Sequence, residues 1–521
     1  MSINVKIFLD TPHAHFTNLD EISGRVSLKV STATNVSSVV VKLEGESRTR
    51  LLAPPDEFGR ERPRPVVEVH KLLYKVVVVW PPQQLQDEVL NQRNYTLPVG
   101  AHEYPFKFKL PFNNSCSTHT QNQSLAQGLG FAGLTLEAAR LPTQHVKATL
   151  PPTVYFPGEA EIKYFVKTTV NRPSLFKENP RDWAAFGFFP IEPPRGAPNG
   201  EAYARRQHQF NPEYAPGGKK NSTAGLFSRT KSIPTSPTSE PPRFSLEARL
   251  PNPAIITCNS PIPLKILLKN LSERSSDVFL QTLQVELIGY TKIRAHEAVR
   301  TETNSWPMVS KSNLAMPLGS PSDPVGTETE ITKEFWHGIP LPNTVAPTFV
   351  TCNIERWYDL DVRVGLGYGA SKQILGQFTV LPLRIPVKIF SGITPPDALL
   401  QAVRLSQNTA LNSNPNPLKP SLQVPPSSQP PISPSSAFPP SPSTAFAGPS
   451  NPPPWTAHPP HHGHHQHPGE DMPRPGAVVD APPSYEDAIA SDMPPIDGPR
   501  PDYVPPPSGA PVGDEKRRGS N

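Results

Sequence analysis

The segment Ile162-Lys163-Tyr164-Phe165-Val166-Lys167-Thr168-Thr169-Val170 decides the fold of this chain. Every second residue from Ile162 to Val170 is apolar, aromatic or β-branched. Successive side chains of a strand point to opposite faces, so this period places one face of an extended strand against a core. The run ends at Asn171-Arg172-Pro173, which is typical of a turn. The segment therefore predicts a strand of an antiparallel sheet.

The same two-residue period recurs along the first three quarters of the chain. The segments that show it are Ile3–Leu9, Val26–Val30, Val39–Leu43, Tyr104–Phe112, Phe244–Leu250, Ile262–Lys269, Leu283–Leu287, Leu360–Leu366 and Phe378–Phe390. Val69–Val79 is a long, β-branched run that also favours a strand. Glycine, proline and asparagine separate them, and helical periods are few. This pattern predicts an all-β fold built from sandwiches rather than a parallel α/β sheet.

Composition divides the chain into four parts. Residues 1–175 and 244–392 hold the predicted strands of two sandwiches. Between them, residues 176–243 read as a linker or insertion, largely disordered from about residue 195, because glycine, serine, threonine and proline dominate there. Many of the 71 prolines fall in residues 393–521, which are too poor in apolar residues to offset their ordering entropy and are predicted to be a disordered tail.

Charge and apolar content exclude several classes of protein. The net charge is only +5 over 521 residues and the basic residues are scattered, so nucleic-acid binding has little support. The apolar run Val76–Trp80 is far too short for a membrane span, and the first residues show no secretory leader. Nucleophile-elbow, phosphate-loop and zinc-protease motifs are absent from the sequence, which predicts that the protein is not an enzyme. We expect a cytoplasmic protein.

Cysteine usage predicts neither a disulfide framework nor a metal site. Cys116, Cys258 and Cys352 are far apart and odd in number, and they form no Cys-x-x-Cys pair. They are expected to be buried, reduced thiols. A histidine-rich stretch in the tail, residues 461–467, has no scaffold to fix its geometry and is interpreted as low-complexity sequence. No cofactor is expected.

The tail carries a peptide of the kind that WW domains bind. Pro482-Pro483-Ser484-Tyr485 contains Pro-Pro-x-Tyr, in which the prolines pre-set an extended conformation and the tyrosine fills a pocket. The functional residues are therefore predicted to be Pro482, Pro483 and Tyr485. A second site, Arg500-Pro501-Asp502-Tyr503, keeps only Pro-x-Tyr. Pro501 and Tyr503 are a secondary WW-binding candidate, close enough for tandem WW domains to gain avidity.

The linker holds a candidate phosphorylation site. In Arg229-Thr230-Lys231-Ser232-Ile233-Pro234 an arginine lies three residues before a serine and a proline two residues after it. This spacing suits a basophilic kinase and then a 14-3-3 protein, whose arginine cluster pairs with the phosphate. Ser236, followed by Pro237, adds a proline-directed site. The other interpretation is a generic basic linker rich in serine and proline.

Several short sequence segments in the predicted strands resemble those of a known protein family. Three segments, Leu150–Tyr155, Ile162–Lys167 and Asn171–Pro173, resemble the end of an arrestin-type N-terminal domain. Thr348–Ile354, with Tyr358, Leu360 and Val362 after it, is similar to the signature strand pair of the arrestin C-terminal domain. Two such domains followed by a proline-rich tail with Pro-Pro-x-Tyr is the layout of the α-arrestins, and the tail resembles fungal members. The resemblance covers about three quarters of the chain.

The resemblance implies two arrestin-like, immunoglobulin-type β-sandwich domains in tandem, followed by a long disordered proline-rich tail. It implies an adaptor that brings a WW-domain HECT-type ubiquitin ligase to plasma-membrane transporters or receptors, promoting their ubiquitination and endocytosis. Such a protein would be recruited to the plasma membrane and endosomes, and would meet the membrane only peripherally through its cargo. The buried charges that sense phosphate in visual and β-arrestins are not identified here, so phosphate-triggered activation is not implied. The alternative is an arrestin-fold trafficking or signalling scaffold that acts without ligase recruitment.

Overall fold

Strands make up most of the part of the chain that the structure describes. The computed structural model describes residues 3–11, 13, 15–53, 64–82, 95–116, 145–173, 178–211, 242–272, 278–320, 323–368, 376–401, 490–498 and 500–504. All of these residues belong to one compact unit. Among them no helix is long and apolar enough to cross a membrane.

The first sandwich is built from ten strands. They are β1 (Ile3–Asp10), β2 (Glu21–Val30), β3 (Thr34–Val36), β4 (Ser38–Leu52), β5 (Pro65–Trp80), β6 (Tyr95–Leu97), β7 (Gly100–Lys109), β8 (Val154–Phe156), β9 (Ala160–Asn171) and β10 (Arg181–Phe186). One sheet has the order β1-β2-β7, and the other has the order β10-β9-β4-β5 with β8 added beside β9. Strands β3 and β6 form a separate two-stranded ribbon. Apolar side chains of both sheets share one core, as expected for a sandwich.

The second sandwich is built from eleven strands. They are β11 (Glu201–Gln209), β12 (Arg243–Pro251), β13 (Ile255–Thr257), β14 (Lys265–Asn270), β15 (Val278–Ala295), β16 (Ala298–Lys311), β17 (Met316–Pro317), β18 (Glu328–Glu330), β19 (Phe349–Val350), β20 (Ile354–Tyr368) and β21 (Gln377–Phe390). The sheet β11-β12-β14-β18 faces the sheet β13-β21-β20-β15-β16, in which β17 and β19 extend β15 and β20. Short helical turns lie at 397–401 and 490–492.

Both sandwiches contain the same cross-strand pair of glycine and tyrosine. Gly45 on β4 lies opposite Tyr164 on β9, and Gly289 on β15 lies opposite Tyr358 on β20. Both tyrosines are fully buried, and each donates its hydroxyl to a backbone carbonyl, that of Pro151 for the first and that of Ala346 for the second. The missing side chain of the glycine leaves the space that the ring fills.

The all-β prediction is confirmed, but two segments expected to be disordered differ from that expectation. Strand β11 falls within residues 195–243 and pairs with β12 along its whole length. It is an edge strand with mostly exposed polar residues, so its sequence lacks the apolar alternation that marks the other strands. In the region 393–521, residues 393–401 and the described residues from 490 to 504 contribute buried apolar side chains to the second core.

The two sandwiches share an interface that mixes apolar and polar contacts. The ends of β15, β16 and β20 and the loop before β20 contribute Ile293, Ala295, Ala298, Cys352 and Ile354 to the core of the first sandwich. Beside them the amide of Asn353 donates to Thr49 Oγ1 at 3.2 Å, and Ser47 Oγ donates to Asn353 Oδ1 at 2.6 Å. Because these side chains are buried and hydrogen-bonded across the interface, they fix how one sandwich meets the other.

Candidate functional site

The residues from 490 to 504 form a docked segment, of which residue 499 is not described. The docked segment begins at the helical turn 490–492, where Ala490 and the following Met493 are buried in the core of the second sandwich. Lys109, at the end of β7 in the first sandwich, donates its ammonium group to the carbonyls of Ser491 and Met493. The docked segment therefore contacts both sandwiches from its start.

Arg500 anchors the middle of the docked segment to the first sandwich. Its guanidinium donates from Nη1 to Asp20 Oδ2 at 2.7 Å and from Nη2 to Asp20 Oδ1 at 2.8 Å. Nη1 also donates to the carbonyl of His15 at 3.0 Å. The two side chains are 9% and 4% exposed, so this is a buried, bidentate ion pair. Asp20 Oδ2 is held in place by the backbone N–H of Thr17 at 2.8 Å.

Tyr503 anchors the end of the docked segment. Its ring stacks on Phe189 with the centroids 4.3 Å apart and the planes inclined by 21°. Its hydroxyl donates to the carbonyl of Thr153 at 2.6 Å, and the residue is 5% exposed. Burial raises the pKa of the Tyr503 phenol well above its usual value, so the hydroxyl stays a donor. His15 meets the same ring edge-on, with the centroids 6.5 Å apart.

Asp502 connects the docked segment to the second sandwich. Its carboxylate accepts a hydrogen bond from Asn343 Nδ2 at 2.7 Å, and its carbonyl accepts one from Asn259 Nδ2 at 2.7 Å. The preceding Pro501 packs near Gly392, where a Cβ atom would lie 3.2 Å from Pro501 Cγ. The docked segment thus contacts both sandwiches, the first through Arg500 and the second through Pro501 and Asp502.

The structure places only part of the predicted site. Pro482, Pro483 and Tyr485 lie outside the described residues, and so do Arg229, Ser232, Pro234 and Ser236. Pro501 and Tyr503 are described, and the ring of Tyr503 is covered by the protein's own side chains. Because a WW domain takes the tyrosine of its ligand into a pocket, Tyr503 can meet such a domain only after the docked segment leaves.

The buried Glu68 and the partly buried Arg294 form a second ion pair, at the domain interface. Arg294 Nη2 lies 2.9 Å from Glu68 Oε1, and the same oxygen is 2.6 Å from His70 Nε2. Burial opposes ionisation of Glu68, but hydrogen bonds from His70 and from the backbone N–H of His296 leave its pKa below the usual value. The carboxylate is therefore charged at neutral pH and joins the two sandwiches.

Four side chains that could hold a metal ion meet beside Glu68. They are His70, Cys116, His145 and Cys352, and their candidate ligand atoms all lie within 4.8 Å of one another. The three cysteines are buried and carry free thiols, in agreement with the sequence analysis. The sequence analysis predicted no metal site because the cysteines are far apart along the chain. In the folded protein Cys116 and Cys352 are nevertheless close in space. No local motif could have found this cluster, since its members come from both sandwiches.

Comparisons with known proteins agree with this architecture. Residues 5–184, which span β1 to β10, match the family model described as arrestin (or S-antigen), N-terminal domain. The chain is 27% identical over 180 residues to an arrestin-related trafficking adapter 10 of Lachancea thermotolerans, covering 33% of this chain and 42% of that protein. It is 31% identical over 133 residues to the protein of the same name from Eremothecium gossypii, covering 24% of this chain and 30% of that protein.

The first sandwich thus matches an arrestin N-terminal domain, and the two yeast relatives agree with the resemblance to fungal α-arrestins that the strands predicted. The aligned part spans less than half the length of the curated relatives it matches.

Proposed function

We propose that the protein is a trafficking adaptor that recruits a WW-domain HECT-type ubiquitin ligase through Pro482, Pro483 and Tyr485. Its cargo would be plasma-membrane transporters or receptors, whose ubiquitination and endocytosis it promotes. The arrestin N-terminal domain and the names of the two yeast relatives support an adaptor role in trafficking. The observation that supports ligase recruitment is that the docked segment, which packs on the sandwiches, begins shortly after Tyr485.

The docked segment begins five residues after Tyr485 (490 − 485 = 5). Five residues span at most about 18 Å when fully extended. Chain length alone therefore keeps Tyr485 within that distance of Ala490, which is buried in the second core. A ligase bound there would stay close to cargo held by the sandwiches, which raises its effective concentration. This arrangement favours ligase recruitment over a tail that serves only as a spacer.

The second Pro-x-Tyr, at Pro501 and Tyr503, remains a proposed ligase contact with one condition. The docked segment has to leave before Tyr503 can enter a WW domain, so the apparent affinity of this site falls by the fraction of molecules that are undocked. Tyr485 would be the constitutive contact, and Tyr503 would add avidity only in the undocked state.

The test is a pull-down with isolated WW domains, followed by measurement of cargo ubiquitination in cells. Changing Pro483 and Tyr485 to alanine should abolish both signals. Tyr214 also follows a Pro-x pair, so Tyr214→Ala is the matched control and should leave both signals intact. Normal ligase binding and cargo ubiquitination in the Pro483→Ala/Tyr485→Ala variant would favour the scaffold that acts without ubiquitin.

Point variants are preferable to truncation for this test. Deleting residues 470–521 would remove the Pro-Pro-x-Tyr motif, but it would also remove Arg500 and Tyr503 and their contacts with Asp20 and Phe189. A loss of sorting in the truncated protein could then come from a weakened domain interface. Tyr485→Ala leaves those contacts in place.

We also propose that the linker controls the adaptor through phosphate. Arg229, Ser232 and Pro234 have the spacing of a basophilic kinase site and a 14-3-3 ligand, and Ser236 adds a proline-directed site. Ser232→Ala should abolish capture by 14-3-3 proteins and change cargo turnover, whereas Ser236→Ala should preserve the capture. Capture that is unchanged by Ser232→Ala would rule out this site as the 14-3-3 ligand.

A further inference from the structure

The cluster of His70, Cys116, His145 and Cys352 draws on four separate parts of the chain. His70 lies on β5, Cys116 follows β7, and His145 precedes β8, all in the first sandwich. Cys352 lies between β19 and β20 of the second sandwich. Residues so far apart in sequence come together only in the folded, two-domain protein, which makes the cluster part of the interface between the sandwiches.

Three of the six separations among the ligand atoms are close to those of a tetrahedral zinc site, and all six are within 4.8 Å. The two sulfurs lie 3.7 Å apart, and Cys116 Sγ lies 3.4 Å from His70 Nδ1 and 3.3 Å from His145 Nδ1. Zn–S bonds of about 2.3 Å and Zn–N bonds of about 2.0–2.1 Å imply ligand separations of about 3.8 Å between sulfurs and about 3.5 Å between sulfur and nitrogen. A disulfide, with sulfurs about 2.05 Å apart, does not fit the observed distance.

The second layer of contacts orients the ligands toward a common centre. Glu68 Oε1 lies 2.6 Å from His70 Nε2, which leaves Nδ1 of that ring facing the two sulfurs. Carboxylates commonly hold zinc-bound histidines in this way. The backbone N–H of Val146 lies 3.2 Å from Cys352 Sγ and donates to it, a contact that stabilises a thiolate. The first contact thus fixes the orientation of the His70 ring, and the second supplies a donor to the sulfur of Cys352.

Charge and burial also favour a bound dication. Two thiolates would neutralise Zn²⁺, and the Glu68 carboxylate is already balanced by Arg294. His70 is completely buried, and Cys116 and Cys352 are 8% and 4% exposed. A neutral assembly is far less costly to bury than isolated charges. Two sulfur and two nitrogen donors are the set that selects zinc over calcium or magnesium.

We propose that His70, Cys116, His145 and Cys352 form a structural zinc site that joins the two sandwiches. All four positions are filled by protein side chains, so the site leaves none open for catalysis. The ion would bind Cys116 and His145 of the first sandwich at one point. Through Cys352 it would also link them to the second sandwich. Binding energy at such a site adds directly to the stability of the interface.

The test is the metal content of the full-length protein, purified without chelators and measured by elemental mass spectrometry. We expect one zinc per chain. The Cys116→Ser/Cys352→Ser variant should lose it, whereas Cys258→Ser should keep it, because Cys258 is buried in the second core next to Val345 and away from the cluster. His145→Gln supplies a second ligand variant if the double cysteine variant does not fold.

Two further measurements keep the proposal open to contradiction. Co²⁺ exchanged into the wild-type protein should give sulfur-to-cobalt charge transfer and the visible bands of a tetrahedral ion. Strong chelators should make the domain interface exchange its amide hydrogens faster. Wild-type protein without zinc would overturn the proposal, and so would zinc retained by both ligand variants. Titration of only one free thiol in the wild-type chain, denatured in the presence of a chelator, would show a disulfide instead.

Discussion

Tyr503 stacks on Phe189, with the ring centroids 4.3 Å apart, and this contact holds the end of the docked segment against the body of the protein. The tyrosine belongs to a Pro-x-Tyr sequence, yet its ring and hydroxyl are used within the chain. Tyr485 lies 18 residues earlier (503 − 485 = 18) and carries the complete Pro-Pro-x-Tyr. Under the proposed function the two tyrosines therefore have different roles, one as a ligase contact and the other as an anchor that can be released.

Tyr503→Ala should detach the docked segment without unfolding the sandwiches. Truncating a buried aromatic side chain typically costs about 3–5 kcal/mol, and here that cost falls on docking. Tyr503→Phe keeps the stacking and loses only the bond to Thr153, so it should cost about 1 kcal/mol. Hydrogen exchange of the amides of the docked segment measures both effects. Equal protection in Tyr503→Ala and the wild type would contradict the anchoring role.

Asp20→Asn should undock the segment while leaving the tail sequence intact. Removing one member of a buried ion pair leaves the other uncompensated, at a cost of about 3–5 kcal/mol. Arg500→Gln should cost a similar amount, and the double variant should cost less than the sum of the two. A double-mutant cycle on the hydrogen-exchange free energies of the docked segment measures this coupling, and strict additivity would contradict the ion pair.

The same Asp20→Asn variant tests the condition placed on Tyr503. Undocking frees Pro501 and Tyr503, so two WW domains linked in tandem should bind the variant more tightly than the wild type. A single WW domain saturated by Tyr485 serves as the control and should show little change. Equal affinity of the linked WW domains for both proteins would indicate that Tyr503 is only an anchor.

Acidification should weaken docking through His15. Burial, and then the nearby Arg500 cation, lower the pKa of His15, while Asp20 and Asp502 act in the opposite direction and His13 acts in the same direction as Arg500. The docked state therefore binds fewer protons than the undocked state. Docking is unaffected well above the ordinary histidine pKa of about 6.5, and its free energy is progressively lost as the pH falls below that value.

Hydrogen exchange of the docked segment between about pH 7.5 and 5.5, corrected for intrinsic rates, measures this loss. His15→Gln removes the titrating group and should remove the pH dependence specific to the docked segment. Any remaining pH dependence in the His15→Gln variant would belong to other groups. A wild-type docking equilibrium that does not change over this range would contradict the role of His15.

Most of the fold could be predicted because burial on one face of a strand leaves a two-residue period. Ile162–Val170 falls within β9, and Ile3–Leu9 falls within β1. Strand β11 could not be found in this way, because its side chains are mostly exposed and its pairing with β12 depends on backbone groups that any sequence supplies. The way in which the two sandwiches pack against each other also has no local sequence signal, because it depends on contacts such as that between Ser47 and Asn353.

The candidate sites were predictable only where a contiguous peptide carries the chemistry. Pro482-Pro483-Ser484-Tyr485 can be recognised in the sequence because a WW domain binds consecutive residues of an extended peptide. The docked segment was missed because a few separated side chains, such as Met493 and Tyr503, anchor a segment whose composition resembles a disordered tail. Cys116 and Cys352 are 236 residues apart, and only the fold brings their sulfurs within 3.7 Å.

Gly289→Ala should destabilise the second sandwich. An added Cβ would lie 2.8 Å from Trp306 and 2.8 Å from the ring of Tyr358, both closer than van der Waals contact allows. Overpacking of this kind typically costs about 1–3 kcal/mol. Gly45→Ala should act in the same way on the first sandwich, because its Cβ would lie 2.7 Å from the ring of Tyr164.

Gly338→Ala is the matched control, since nothing lies within 4 Å of its Cβ position. The midpoint of urea unfolding should fall for the first two variants and stay near the wild-type value for the third, and a midpoint common to all three would show that the glycine–tyrosine pairs do not limit packing.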